Sequence, residues 1–309
     1  MRHTILGAGG AIGNALAHEL LKMNEEVRLV SRSNYSINGA ESFKADLTSY
    51  EETLSSLRNT DIAYLCAGLP YDSKVWNELW PLIMSNTIEA CKKANSKLVF
   101  FDNVYMYGKV SGKMTEDTPY NPRSKKGEVR AKVALQLEDE IKKGNIRAII
   151  ARSADFYGPY ARNSSVPYIL AISKLMNGKK AKWLVDDKTL HSFTYTIDCA
   201  RGMILLADCE QCYDQTWHLP TREPIDGETF IHIIAGSLGV APDYDVLNKW
   251  MIKMAGIADK TISESYEMLY QSEYLYFFDS SRFNDYFRYN PKSYFEGINE
   301  TVKFLKFSA

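Results

Sequence analysis

The 309-residue chain has no run of about 18 apolar residues, so nothing in it is expected to cross a bilayer. It also lacks net charge. Its 37 Lys and Arg against 38 Asp and Glu leave −1, which offers no general attraction to nucleic acid or to an anionic membrane. Cysteine is sparse: five residues, an odd number, suit reduced thiols better than a disulfide framework. Cys209 and Cys212 make one CxxC, with no second pair to complete a four-ligand zinc site. A free thiol pair and no metal are therefore expected. Internal repeats, low-complexity linkers and long charge runs are missing too, which argues against a solenoid or tethered domains. The opening "MRHTILGAGG" lacks the apolar core of a secretory leader, so a cytoplasmic location is expected.

What the chain does have is rhythm. Short apolar runs ("HTIL", "EVRLV", "DIAYLCA", "KLVFF", "IRAIIA") alternate with helical patterns, among them residues 75–94 and 122–143. Thr48 and Glu51 read as a capping box opening another helix. Strands alternating with helices of this length predict a doubly wound parallel sheet with helices on both faces. After residue 158 the rhythm changes. "SSVPYILAISKLMNG" reads as one helix, "AKWLV" and "HSFTYTI" as strands, and the region beyond Pro220 as mostly helical. The expected division is 1–158, with 191–220 returning to it, and a smaller, mostly helical C-terminal cap from 159–190 and 221–309.

Between the first strand and first helix, "LGAGGAIG" spaces Gly7, Gly10 and Gly13 three apart. Backbone without side-chain bulk, at a helix N-terminus, presents N–H groups and a favourable dipole to a pyrophosphate. The competing reading is a tight turn that only lets helix and strand pack; the repeated βα context favours a dinucleotide. The second strand ends "RLVSRSN", with Ser31 and Arg32 and no acid at the tip. An Arg there suits a 2′-phosphate, so NADP is preferred, with NAD as the alternative.

In order along the chain, these pieces resemble the short-chain dehydrogenase/reductase superfamily, and within it the NAD-dependent epimerase/dehydratase family. The resemblance implies a Rossmann-like sheet. It also implies a dinucleotide lined by Gly7, Gly10, Ala11, Ile12 and Gly13, by Asp46 and Leu47 of "KADLTS", by Cys66, Ala67 and Gly68 of "LCAG", and by Asn86. A small-molecule substrate, a sugar or nucleotide sugar, would meet Asp155 and Tyr157 of "RSADFYGPY" and His191 of "KTLHSF". Asp198 matches the family's acidic position. A homodimer through long helices is implied by the same analogy.

The catalytic segment departs from the family. Tyr105 and Lys109 have the spacing of its Tyr-x-x-x-Lys pair, but they lie in the loop after the fifth strand. There the family keeps a Ser or Thr before a "YG" pair, and this chain has Asn103. The family's pair opens the next long helix, where this chain reads "RSKKGEVRAK". Lys126 and Arg130 then stand for the Tyr and the Lys. A Lys crowded by Lys125 and Arg130 would have its pKa lowered and could act as a base. Arg130 could donate to ribose hydroxyls, and Asn103 to a carbonyl oxygen. Two readings stay open: an enzyme with a rebuilt site, its proton supplied by Lys126, Tyr105, Tyr107 or Tyr157, or a dinucleotide-binding sensor or scaffold without turnover. Asp155 and His191 replace the Asn and Arg often found there. That weakens the case for a nucleotide diphosphate unless Arg162 or Arg222 substitutes.

Overall fold

A computed structural model describes residues 1–162 and 164–307. Its first half alternates β1 (Arg2–Leu6), α1 (Ala11–Lys22), β2 (Glu26–Ser31), β3 (Glu41–Lys44), α2 (Tyr50–Ser56), β4 (Ile62–Leu65), α3 (Ser73–Ala94) and β5 (Lys97–Asp102). The short β6 (Lys113–Met114) precedes α4 (Lys125–Lys142), β7 (Ala148–Arg152) and β8 (Asp155–Tyr157). Then come α5 (Ser173–Met176), β9 (Ala181–Leu184), β10 (Phe193–Tyr195), α6 (Thr196–Ala207) and β11 (Gln215–His218). The chain continues with α7 (Gly227–Leu238), β12 (Tyr244–Leu247), α8 (Lys249–Ala258), α9 (Lys260–Ser265), β13 (Phe277–Phe278), α10 (Ser281–Phe287) and α11 (Tyr294–Phe307).

Seven parallel strands form the central sheet in the order β11-β7-β5-β4-β1-β2-β3. The order reverses between β1 and β4, and in open parallel sheets the crevice at such a reversal is where ligands sit. The apolar runs are continuous because both faces are covered. Ile5, Tyr64 and Val99 face α1, α6 and α10, while Leu6, Leu65 and Phe100 face α3 and α4. The doubly wound fold is as expected. A separate apolar cluster, built around Phe193, Phe230, Ile234 and Ile298, joins β10 to α7 and α11. Two further parallel pairs, β9 with β12 and β8 with β10, lie outside the main sheet. None of the described helices is long and apolar enough to cross a membrane.

Three local expectations are corrected. The cap of α2 is Ser49, whose hydroxyl accepts from the Glu52 N–H at 3.3 Å, not Thr48 with Glu51. Thr48 instead donates its hydroxyl to Asp46 at 2.8 Å, a closer acceptor that takes it out of the capping role. The supposed single helix at 164–178 contains a π-helical turn over Tyr168–Ile172 before α5, because its ladder slips by one residue. Cys209 and Cys212 are joined in a disulfide rather than free. The turn between α6 and β11 brings their Cα atoms to 5.3 Å, within disulfide reach. The other three cysteines are free and buried.

Candidate active site

The three glycines of the first turn do three different jobs. Gly7 has φ +90°, and a Cβ there would stand 2.3 Å from the Ala67 backbone, so it lets β1 and the end of β4 touch. Gly13 would meet the Gly7 carbonyl and Ile5 at 3.4 Å and permits close packing of α1 on β1. A Cβ on Gly10 would find only a carbonyl oxygen at 3.9 Å. Gly10 is the N-cap of α1 and has no capping side chain, so the first helical N–H groups stay available. Steric freedom at Gly10, an uncapped helix start and the sheet's reversal point together fit a pyrophosphate, and hence a bound dinucleotide.

At the outer end of this groove Arg32 is exposed and Ser31 is buried, the Ser31 hydroxyl accepting from the Tyr35 N–H at 2.8 Å. Asp46 is held below the usual carboxylate range, first by the Thr48 N–H, and Arg32 adds to the effect. Asn86 is buried and donates to the Leu47 carbonyl at 3.0 Å. It fixes the segment beside the groove; like Gly7, Gly13, Ser31, Arg32, Asp46 and Leu47, from which a contact with the dinucleotide was also expected, it does not border the cavity described next.

A cavity of about 790 Å³ runs from Gly10, Ala11 and Ile12 past Cys66, Ala67 and Gly68 to Asn103 and Tyr105. Its far wall comes from the second half of the chain, including Val166, Leu170, Trp183 and Met268. Burial pushes the Cys66 thiol up to about 12, so it is a neutral wall and not a nucleophile.

Lys126 is absent from that wall. Its side chain is fully buried, and its ammonium donates to Glu264 Oε2 at 2.6 Å, to the Glu264 carbonyl at 2.9 Å and to Glu267 Oε1 at 3.1 Å. Three acceptors use all three donors of an ammonium. The crowding by Lys125 and Arg130 that sequence suggested is answered by two carboxylates far away along the chain. The Tyr71 ring, which does line the cavity, lies 4.5 Å from the ammonium. Gly127 follows for a steric reason: a Cβ would stand 2.6 Å from the Tyr105 carbonyl.

Arg130 reaches the cavity wall but is 3% exposed. It forks onto Asp102 Oδ1 and is held over the Trp80 ring at 4.4 Å and the Phe100 ring at 5.0 Å. Asp102 Oδ2 meets Arg152, whose guanidinium donates to the Tyr107 hydroxyl at 2.7 Å and also to Tyr120. His218 Nδ1 lies 2.8 Å from the Asp279 carbonyl, so that nitrogen carries the proton. His218 Nε2 then accepts from Tyr107 at 2.9 Å. Burial drives His218 down to about 3 and Tyr107 up to about 12, so the pair is neutral. Arg152 and His218 escaped the sequence reading. An Arg closing a buried strand needs a buried acid, and that was the available signal.

Asn103 accepts from the Tyr105 N–H at 3.1 Å through its side-chain oxygen, and its amide nitrogen has no partner among the described residues. Tyr105 stacks on Trp76 with ring centres 6.2 Å apart, and its phenol lies beside that of Tyr71. Burial, then the neighbouring Tyr71 and Asp155, raise the Tyr105 phenol well above its ordinary value. Lys109 instead sits 3.2 Å from the centre of the Tyr274 ring, in a separate crevice. Tyr105 and Lys109 therefore do not work as a pair.

Asp155 and His191 both line the cavity and meet at 3.1 Å between Oδ2 and Nε2. The imidazole is stacked on Tyr276 at 4.1 Å and on Phe193 at 4.5 Å, which fixes its plane. Tyr157, expected at the substrate, is instead 1% exposed among Tyr195, Phe230 and Tyr294. At the far end of β8 its ring enters the cap's aromatic core, where it packs so closely that a Cβ on Gly297 would stand 2.4 Å from its hydroxyl. Arg162 and Arg222 do not line the cavity. Asp198 is pushed up by burial and accepts from the Lys292 N–H and the Tyr289 hydroxyl, a structural joint between α6 and the C-terminal segment. No group of three or more His, Cys, Asp or Glu among the described residues could hold a metal.

Known proteins place this arrangement. The profile of the NAD dependent epimerase/dehydratase family matches residues 3–214. An uncharacterized UDP-glucose epimerase of Bacillus subtilis (strain 168) is 24% identical over 226 residues, 66% of this chain and 71% of its own. Among solved structures, the UDP-glucuronic acid 4-epimerase of Bacillus cereus, in complex with UDP-glucuronic acid and NAD, superimposes with a TM-score of 0.82 at 19% identity over all of both chains. The UDP-glucose 4-epimerase of Thermus thermophilus, in complex with NAD, gives a TM-score of 0.80 at 19% identity, again over all of both chains. The structural likenesses carry the fold, and the profile, spanning more than half of the sequence, carries the family: the chain belongs to the NAD-dependent epimerase/dehydratase family.

Proposed function

We propose that this protein binds NADP in preference to NAD and acts as an oxidoreductase or an epimerase/dehydratase-like enzyme on a sugar-like or small hydroxyl or carbonyl substrate. In this reading, residues 1–158 with 191–220 hold the cofactor, and 159–190 with 221–309 close over the substrate. The observation that carries it is the continuous cavity joining the Gly10 turn to Asn103 and Tyr105. The nicotinamide, when bound, supplies the hydride acceptor or donor. The chain's own contribution is to orient the reacting oxygen: Asn103 has an unused amide N–H₂, and Tyr105 keeps a phenolic proton. Cofactor contacts are assigned to Gly10, Ala11, Ile12, Asp46, Leu47 and the Cys66–Gly68 segment, with Gly7 and Gly13 shaping the turn that presents them. Arg32, exposed at the tip of β2 without a neighbouring acid in its own loop, supports the NADP preference. A homodimer would pair through α3 and α4, which leave Leu82 and Leu135 exposed.

A non-catalytic sensor is the second reading. Lys126 favours it, since an ammonium with every donor engaged offers no base. Nicotinamide fluorescence on titration with NADPH and NADH tests binding; no response at millimolar excess sinks both readings. Tyr105→Phe should keep NADPH affinity and lower turnover by roughly a hundredfold, the usual share of one positioned proton donor. Unchanged turnover removes Tyr105 from the chemistry. A wild type that binds NADPH tightly but is inert on a broad carbonyl and nucleotide-sugar panel is the sensor.

A further inference from the structure

The charge on the cavity wall bears on the substrate. Among the described residues that line it, Arg130 is the one guanidinium and there is no lysine. Arg130 is already engaged: it forks onto Asp102 and lies between two aromatic rings. Behind it, Arg152 is matched by Asp102 and by Glu138 at 4.0 Å. Lys126 brings no positive charge to the wall, because Glu264 and Glu267 both close on it. On the substrate side stand two carboxylates, Asp155 and Asp186. Asp186 already accepts from the Lys188 N–H and the Thr189 hydroxyl, and the Lys188 ammonium turns away to Glu228. Asp155 has His191 as its partner at 3.1 Å. Its charge also reaches the phenols of Tyr71, Tyr105, Tyr270 and Tyr276. The rest of the wall is largely aromatic or aliphatic, with Trp76, Trp183 and Phe193 prominent.

A pyrophosphate needs converging cations or a helix N-terminus; placed against carboxylates, with no unengaged cation among the described residues that line the cavity, it is repelled. A carboxylate hydrogen-bonded to an imidazole is, by contrast, an acceptor–donor pair suited to a hydroxyl. We infer that the Asp155–His191 pair is a specificity device that rejects pyrophosphate-bearing substrates and selects hydroxyl or carbonyl compounds lacking that group. The inference rests on the dinucleotide-dependent reading above and narrows its substrate class, against the UDP-sugars named for the proteins it resembles.

The test is calorimetric titration of the NADP-loaded protein with UDP and UDP-glucose, using wild type, Asp155→Asn and Asp155→Asn/His191→Arg. NADPH fluorescence on each variant checks that the fold and cofactor groove survive. Wild type should show no binding at about 1 mM ligand, Asp155→Asn a several-fold gain, and the double variant a gain of at least about tenfold, as a new guanidinium on a diphosphate supplies. Wild-type dissociation of UDP-glucose below roughly 100 µM, the range of ordinary substrate recognition, overturns the inference while leaving cofactor-dependent function standing. Variants that hold NADPH normally yet still ignore UDP overturn it too, since the pair would then not be what excludes the diphosphate. Failure of the wild type to bind NADPH takes down the underlying reading, a result distinguishable from both.

Discussion

The turn after β1 and the start of α4 carry the two segments most diagnostic of the family, and they have fared differently. At the turn, the three glycines keep roles that suit their spacing: a Cβ on Gly7 or Gly13 would crowd a neighbour, and Gly10 leaves the start of α1 uncapped. At α4, the helix and the four-residue spacing survive, while the residues at 126 and 130 are turned to other work. Lys126 grips Glu264 and Glu267 from α9 and the turn that follows, and Arg130 neutralises Asp102 at the end of β5. Backbone requirements at a phosphate turn admit few solutions. A side chain at a helix start is free to change if its new charge finds partners, and here the second half of the chain provides them for Lys126 and β5 provides one for Arg130. The same segment ties Lys260 to Asp72 and Glu264 to the Ser73 N–H, so α9 is clamped over the start of α3 as well.

The comparison breaks most sharply at Gly7. Gly7→Ala would force a Cβ to 2.3 Å from the Ala67 backbone at a positive φ, and should lower unfolding free energy by more than about 3 kcal/mol. Gly10→Ala, a few residues on, has open space and an ordinary φ of −79°. It should change stability by less than about 1 kcal/mol while weakening NADPH binding by roughly tenfold. Urea melts and fluorescence titrations on both variants separate folding from binding. Equal effects from the two would erase the distinction between a packing glycine and a ligand glycine.

Arg130→Ala comes next. It leaves Asp102, 1% exposed, with the Asn103 N–H at 2.8 Å and with Arg152, at 3.4 Å, as its one remaining cation among the described residues. Stripping one partner from a buried ion pair costs about 3–5 kcal/mol, and the remaining guanidinium should keep the loss near the lower figure. A loss below about 1 kcal/mol in urea melts, the range of an exposed pair, would mean that Arg130 serves a ligand rather than the fold.

Lys126→Met should cost less, about 2 kcal/mol, because Glu264 and Glu267 are partly exposed and can hydrate once released. It carries a pH signature. Burial raises the Glu264 carboxyl, but the hydrogen bonds from Lys126 and Ser73 outweigh it and leave the group below its ordinary 4.5. A carboxyl whose folded pKa is depressed stabilises the fold above its ordinary value, and that stability is lost as pH falls through the lower one. Wild-type melting temperature should therefore drop as pH falls from about 5 toward the depressed value, and Lys126→Met should flatten part of that drop. Parallel slopes in the two proteins would exclude Lys126 as the clamp.

The sequence was legible where one element explains itself. Continuous apolar runs, the glycine spacing and the βα alternation each reflect constraints within about 30 residues, and the sheet and the groove follow from them. It was illegible where partners lie far apart. Nothing near Lys126 announces Glu264, and nothing near Arg152 announces Tyr107 and His218, because the sheet and cap bring together residues distant in the chain. Tyr157 shows the same limit. Its segment matches the family, yet the cap's packing against Phe230 and Tyr294 decides that it is core. The CxxC pair eluded the composition argument because an odd total says nothing about which two thiols a turn will oppose.

The smallest effect tests the outer end of the groove, where sequence and structure again agree only in part. Arg32 is exposed and feels Asp46, which already accepts from Thr48. An exposed guanidinium on a 2′-phosphate is screened by solvent, so its loss should be modest. Arg32→Ala should weaken NADPH by roughly tenfold, with NADH affinity unchanged, and the NADPH gap between wild type and variant should shrink as salt rises. Equal losses for the two nucleotides would assign Arg32 to the shared adenosine and return the preference to NAD. No change for either would leave it a solvated arginine at the end of β2, and the glycine turn alone would then account for what binds there.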